Sequence, residues 1–141
     1  MTDISLTTET MKYIRTATQL INVDILDCLT INDKLVFVVR KGQLGAAIGK
    51  KAKNLERLRG LFKKTIKFVE EDPDKLQFIR NLCKPYEVKD IAVSGPEDAP
   101  VARITVSSSE KSKMIGKNGQ NIDIIRKLAQ RHHNFKDVQI K

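Results

Sequence analysis

Apolar positions along the chain switch between a helical and a strand period, and the switches mark out the same series of elements twice. Met11, Ile14, Ala17 and Ile21 recur at the spacing of one helical face. The β-branched runs "DILDCLTIN" (24–32) and "LVFVVR" (35–40) follow, with turn-forming Asn32-Asp33 between them, and predict a hairpin. Positions 55, 58, 61 and 62 then form an apolar stripe on a second helix, and "TIKFVE" (65–70) supplies a short closing strand. In the second half, Leu76, Ile79, Leu82 and Cys83 line a helix, with Asp72-Pro73 as its cap and first-turn proline and Lys84-Pro85 as its stop. "VKDIAVS" (88–94) and "VARITVS" (101–107) are joined by the turn "GPEDAP", a stripe recurs at 122, 125, 128 and 129, and "DVQIK" (137–141) closes the series.

The two halves also match residue by residue. At the offset of 67 residues that carries Gly49 onto Gly116, Ile48, Gly49, Lys50, Asn54, Arg59 and Leu61 meet Ile115, Gly116, Lys117, Asn121, Arg126 and Leu128. Each copy therefore runs helix, strand, strand, helix, glycine hinge, helix, strand. The boundary falls near "EEDPD" (70–74), which assigns 1–71 to the first unit and 72–141 to the second. That junction is too short for a free tether, and units of roughly 70 residues have marginal cores. The two are expected to dock and move as one body.

Composition narrows the class. The chain has 141 residues, 40% hydrophobic and 30% charged, and no apolar run approaches the roughly 20 residues that span a bilayer. Its start, "MTDISLTTETMKYIR", lacks the basic and apolar regions of a secretory signal, so a cytoplasmic location without membrane association is expected. Cys28 and Cys83 stand far apart without zinc-ligand spacing, which favours buried reduced thiols and no structural metal. The formal charge is +9, and between Arg40 and Lys67 ten Lys or Arg face the single acid Glu56. Clustering of that kind favours a polyanionic partner, nucleic acid above all.

The basic cluster surrounds the first glycine hinge, "GAAIGKKAKNLERLRGL" (45–61), whose counterpart is "SKMIGKNGQNIDIIRKL" (112–128). A helix start leaves about four N–H groups without intrahelical partners and carries the positive end of the dipole, so a glycine bend there can cradle a phosphate. Nucleotide-enzyme loops do not fit. Leu44 and Lys111 stand where a Walker A loop has its first glycine, Lys51 and Asn118 replace its Ser or Thr, and Gly42, Gly45 and Gly49 have the wrong spacing for a dinucleotide fingerprint. The helical recurrence of those three glycines suggests a close helix approach instead. Asn54 and Asn121, early in the helices, can reach either backbone or phosphate.

The remaining match is G-x-x-G between two helices, "GKNG" at Gly116 to Gly119, which with its isoleucine, flanking strands and duplicate resembles the K-homology (KH) RNA-binding domain. A helix ahead of the strands resembles the type II arrangement, and two such units in tandem resemble the KH region of NusA-type transcription termination and antitermination factors, most closely their short archaeal form. The resemblance covers almost the whole chain. It implies an α+β fold of two tandem type II KH domains, each a three-stranded mixed sheet covered by three helices.

It also implies single-stranded RNA as the partner, its backbone clamped by Gly116, Lys117, Asn118 and Gly119, with Gln120 beside them, and in the first unit by Gly49, Lys50, Lys51 and Ala52, with Lys53 beside them. Ile48, Leu55, Ile115 and Ile122 are candidates for an apolar groove floor, or simply for core. Ala52 departs from the family pattern, placing a methyl where close approach is expected, so the first loop is expected to hold RNA less tightly or in another geometry, with Lys50, Lys51 and Lys53 compensating in part electrostatically.

The five phenylalanines mostly fall on apolar faces or near element ends, which favours core packing, so base stacking is expected to contribute little. His132-His133 and Ser107 to Ser109 sit at ordinary helix-end positions, and no catalytic constellation surrounds them. The expectation is a monomeric, cofactor-free, non-enzymatic RNA-binding factor that holds nascent transcript and modulates transcription, with RNA polymerase as a candidate partner. A KH-type ribosomal or ribosome-assembly protein is the alternative.

Overall fold

The structure is a computed structural model that describes residues 7–141. The chain divides into two compact units between Asp72 and Pro73.

The first unit opens with α1 (Thr8–Ile21), whose start is capped by the Thr7 hydroxyl accepting from Thr10 N–H. Strands β1 (Ile25–Ile31) and β2 (Lys34–Val39) pair antiparallel across the Asn32 turn, where φ is +53°. β3 (Thr65–Glu70) pairs parallel to β2, giving the order β1-β2-β3. Parallel neighbours cannot be joined by a tight turn. The crossover from β2 to β3 is built from α2 (Leu44–Ile48), a single 3-10 turn (Lys50–Ala52) and α3 (Lys53–Phe62). The glycine hinge therefore lies in the middle of a crossover, held from both ends.

One sheet face supplies the core through the strand period of two. Leu35, Phe37 and Val39 of β2 stand beside Ile66 and Phe68 of β3 in register, and join Ala17 and Ile21 of α1, Ala47 of α2 and Leu58 of α3. The Phe37 and Phe68 rings stack at 5.8 Å, and Tyr13 meets Phe62 edge-on at 5.0 Å.

The second unit repeats the plan with α4 (Lys75–Cys83), β4 (Asp90–Ser94), β5 (Val101–Thr105), α5 (Ser108–Ile115), a 3-10 turn (Lys117–Gly119), α6 (Gln120–His133) and β6 (Asp137–Ile140). Its sheet order is β4-β5-β6, antiparallel then parallel. Each unit is thus a three-stranded mixed sheet with three helices, as the element series predicts. Both cysteines are buried and neither is in a disulfide. Among the described residues no helix is long and apolar enough to cross a membrane.

Several expectations change. Asp74, not Asp72, caps α4, its carboxylate accepting from Leu76 N–H at 3.2 Å; the Asp72 carboxylate is instead taken by Lys41 at 3.4 Å. Met11, Leu61 and Leu76, placed on apolar faces by periodicity, are 40–53% exposed. Phe78 and Ile124 are buried in positions the stripes did not include.

Candidate nucleic-acid interface

Both hinges have the same backbone. In the second, Gly116 has φ/ψ of 81°/171°, Asn118 56°/27° and Gly119 71°/17°. In the first, Gly49 has 81°/166°, Lys51 54°/35° and Ala52 58°/28°. The same two hydrogen bonds close each turn: Gly116 N–H to Ser112 O and Gly119 N–H to Gly116 O, matched by Gly49 N–H to Gly45 O and Ala52 N–H to Gly49 O. Ala52 therefore adopts the left-handed geometry that its counterpart, a glycine, occupies without steric cost. It bears strain, but the loop shape is unaltered.

The four loop positions are not equivalent. At Gly116 a Cβ would lie 2.8 Å from Asn121 Cγ, and at Gly49 2.9 Å from Asn54 Cγ, so neither place admits a side chain. At Gly119 the nearest atom to an added Cβ would be Ile122 Cγ2 at 3.8 Å, an ordinary contact. Asn121 Nδ2 donates to Lys113 O at 3.0 Å and Asn54 Nδ2 to Ala46 O at 3.1 Å. Of the two roles open to these asparagines, the structure displays the backbone one.

The electrostatics favour an anion. α3 and α6 begin without a capping side chain, because their N-cap positions are Ala52 and Gly119. The first N–H of each helix donates back into the turn, Lys53 to Lys50 O and Gln120 to Lys117 O, so what faces the turn is the positive dipole end rather than a row of free donors. Lys50, Lys51, Lys53, Lys117 and Asn118 are exposed beside it, and none of these lysines has a carboxylate partner among the described residues. Of the ten cations between Arg40 and Lys67, Arg40 pairs with Asp24, Lys41 with Asp72 and Arg59 with Glu56, while Lys64 donates to Asn32 O at 3.2 Å. The lysines with no carboxylate partner among the described residues gather at the hinge, at Lys50, Lys51 and Lys53.

Other candidate residues separate by burial. Ile122 is 6% exposed, so it belongs to the core, whereas Ile48, Leu55 and Ile115 are half-buried. Gln120 is half-buried at the start of α6. Gly42 and Gly45 do not support a close helix approach. Gly42 lies outside α2 in a turn with φ +89°, nothing stands within 4 Å of a Cβ at either position, and Gly49 is the α2 C-cap, so the three share no helical face.

His132 and His133 both pack on the Phe78 ring, at 5.3 and 5.1 Å. Ser107 is the α5 N-cap by backbone position, but its hydroxyl meets Ser109 Oγ rather than a backbone N–H. A pocket of about 230 Å³ between Asp33, Arg59, Lys63, Lys64 and Thr65, not signalled by any motif, lies at the far end of α3 from the hinge.

Comparison with known proteins agrees with this geometry. The family profile described as "NusA-like second KH domain" matches residues 75–140, and that described as "KH domain" matches residues 14–80. A relative from Methanocaldococcus jannaschii, named "Probable transcription termination protein NusA", is 30% identical over 99% of this chain and 76% of its own. One of the same name from Halobacterium salinarum is 34% identical over 82% of each chain, and one from Thermoplasma acidophilum is 26% identical over 100% and 98%. The crystal structure of APE1850 superposes with a TM-score of 0.79 at 28% identity, covering 96% of this chain and 100% of that one.

Proposed function

The chain belongs to the NusA-like family of tandem KH proteins, and from that premise we propose that it is a non-enzymatic factor that holds single-stranded RNA with both glycine hinges. One observation carries the proposal: each hinge presents the same preformed turn at an uncapped helix start, beside lysines with no carboxylate partner among the described residues. A preformed turn with lysines beside it loses little entropy when a phosphate arrives, and each KH loop suits about four nucleotides of backbone. In the second unit Gly116, Lys117, Asn118 and Gly119 form the clamp; in the first, Gly49, Lys50, Lys51 and Ala52 do so in the same shape. Because one chain carries both clamps, no second copy is required.

The relatives' name supplies the biological setting. Carried to this chain, it makes the held RNA a nascent transcript in the cytoplasm, with transcription elongation, termination or antitermination as the process affected. RNA polymerase is then the protein partner.

The test is fluorescence-anisotropy titration of a short single-stranded RNA library against duplex RNA of the same sequences, followed by pull-down with purified polymerase. Binding of single strands in preference to duplexes is expected, with polymerase enriched. Equal binding to duplexes would remove the groove mechanism, and absence of polymerase with or without RNA would leave an RNA-binding protein only.

A further inference from the structure

The first glycine of a G-x-x-G loop is readily understood as a place where RNA comes close. The geometry points to a different reason: we infer that Asn54 and Asn121 are positioning residues that lock each hinge before RNA arrives, and that Gly49 and Gly116 are glycine to make room for those asparagines. In both units the amide Nδ2 reaches back eight residues to a carbonyl in the helix before the hinge, Ala46 O at 3.1 Å and Lys113 O at 3.0 Å. Carbonyls at the end of a helix lack intrahelical donors, so each asparagine satisfies one of them. The bond runs from the first turn of the following helix to the end of the preceding one, bridging the hinge.

The space tells the same story twice. The amide group sits where a Cβ on the first glycine would be, 2.9 Å from it in the first unit and 2.8 Å in the second. That volume is already occupied from within, so the phosphate cannot use it. The fourth loop position is different: a Cβ at Gly119 meets nothing closer than 3.8 Å, and the first unit carries alanine there in the same conformation. The fold thus tolerates loss of the second glycine and not of the first, because the first is packed against the asparagine and is also held at φ 81° with ψ 166–171°, where side chains are strained.

A locked hinge binds RNA without first having to be ordered. Loss of one such hydrogen bond corresponds to roughly a threefold to tenfold change in an equilibrium constant. The effect on RNA rests on the function proposed above; the effect on the free loop does not.

The experiment compares the full chain with Asn121→Ala, Gly116→Ala and the double variant. Three quantities are measured: amide hydrogen exchange at Lys117 to Gly119 without RNA, urea unfolding, and single-stranded RNA affinity. Asn121→Ala is expected to speed exchange at those amides while the middle of α6 stays protected, and to weaken RNA binding about threefold to tenfold. Gly116→Ala is expected to cost less stability in the Asn121→Ala background than alone, since the clash partner is gone. Unchanged exchange in Asn121→Ala, or strictly additive costs, would overturn the inference. If Gly116→Ala does not fold, exchange in Asn121→Ala alone decides. If the wild type binds no RNA, the proposed function fails while exchange and the stability cycle still test the lock.

Discussion

Replacing Ala52 by glycine restores the loop pattern of the second unit and isolates the strain that the first unit carries. Ala52 sits at φ 58°, ψ 28°. An L-residue in the left-handed region costs about 1–2 kcal/mol, which glycine avoids. Glycine returns about 0.4–1 kcal/mol through the greater freedom of the unfolded chain. Removing a half-buried methyl costs up to about 0.4 kcal/mol more, half the value of a fully buried one. The balance is a gain of about 0.5 kcal/mol. In a unit of this size about 1 kcal/mol moves Tm by 4–8 °C, so a rise of roughly 2–4 °C is expected.

The reverse change, Gly119→Ala, adds the same strain without a clash, the nearest atom being 3.8 Å away, and should lower stability by about 0.5–1 kcal/mol. Thermal unfolding followed by circular dichroism reads both, and the two variants must move in opposite directions. A loss of about 1 kcal/mol for Ala52→Gly, the result normal for alanine inside a helix, would refute the conclusion that the loops share one backbone shape.

Other consequences are as specific. Gly49→Ala forces a side chain into φ 81°, ψ 166° and into Asn54 at 2.9 Å, so urea unfolding should show a loss of at least about 2 kcal/mol. Leu58→Ala removes a fully buried side chain and should cost about 2–5 kcal/mol, whereas Leu61→Ala, three residues on but 53% exposed, should stay within about 0.5 kcal/mol by the same assay. If about five phosphates are neutralised, log K against log salt should fall with a slope of about −3.5 for a single strand; a flat dependence measured by anisotropy would exclude a basic cradle.

Local pattern carried the element order because each apolar period and each turn residue acts over a few positions, and the duplication at Gly49 and Gly116 confirmed the series internally. What the pattern did not carry was competition between neighbours. Asp72 and Asp74 are equally good caps by type, and only the position of Lys41 across the fold decides that Asp72 is engaged elsewhere. Leu61 and Leu128 occupy matching positions in the two stripes, yet one is 53% exposed and the other fully buried. Gly42, Gly45 and Gly49 look periodic on paper, but α2 begins after the first and ends before the last. At the hinge, the spacing located every loop residue, while the division of labour between the first and fourth positions required the Asn54 and Asn121 side chains in place.

The most direct measurement is single-stranded RNA binding by the wild type and by a Lys117→Asp, Asn118→Asp double variant. Aspartate tolerates the left-handed backbone at position 118, where φ is 56°, so the variant should fold, as circular dichroism will check. Two carboxylates at the mouth of the turn replace attraction for phosphate by repulsion. The expected result is a folded protein whose RNA affinity falls at least tenfold. Unchanged affinity in the folded variant would contradict the second hinge as an RNA clamp.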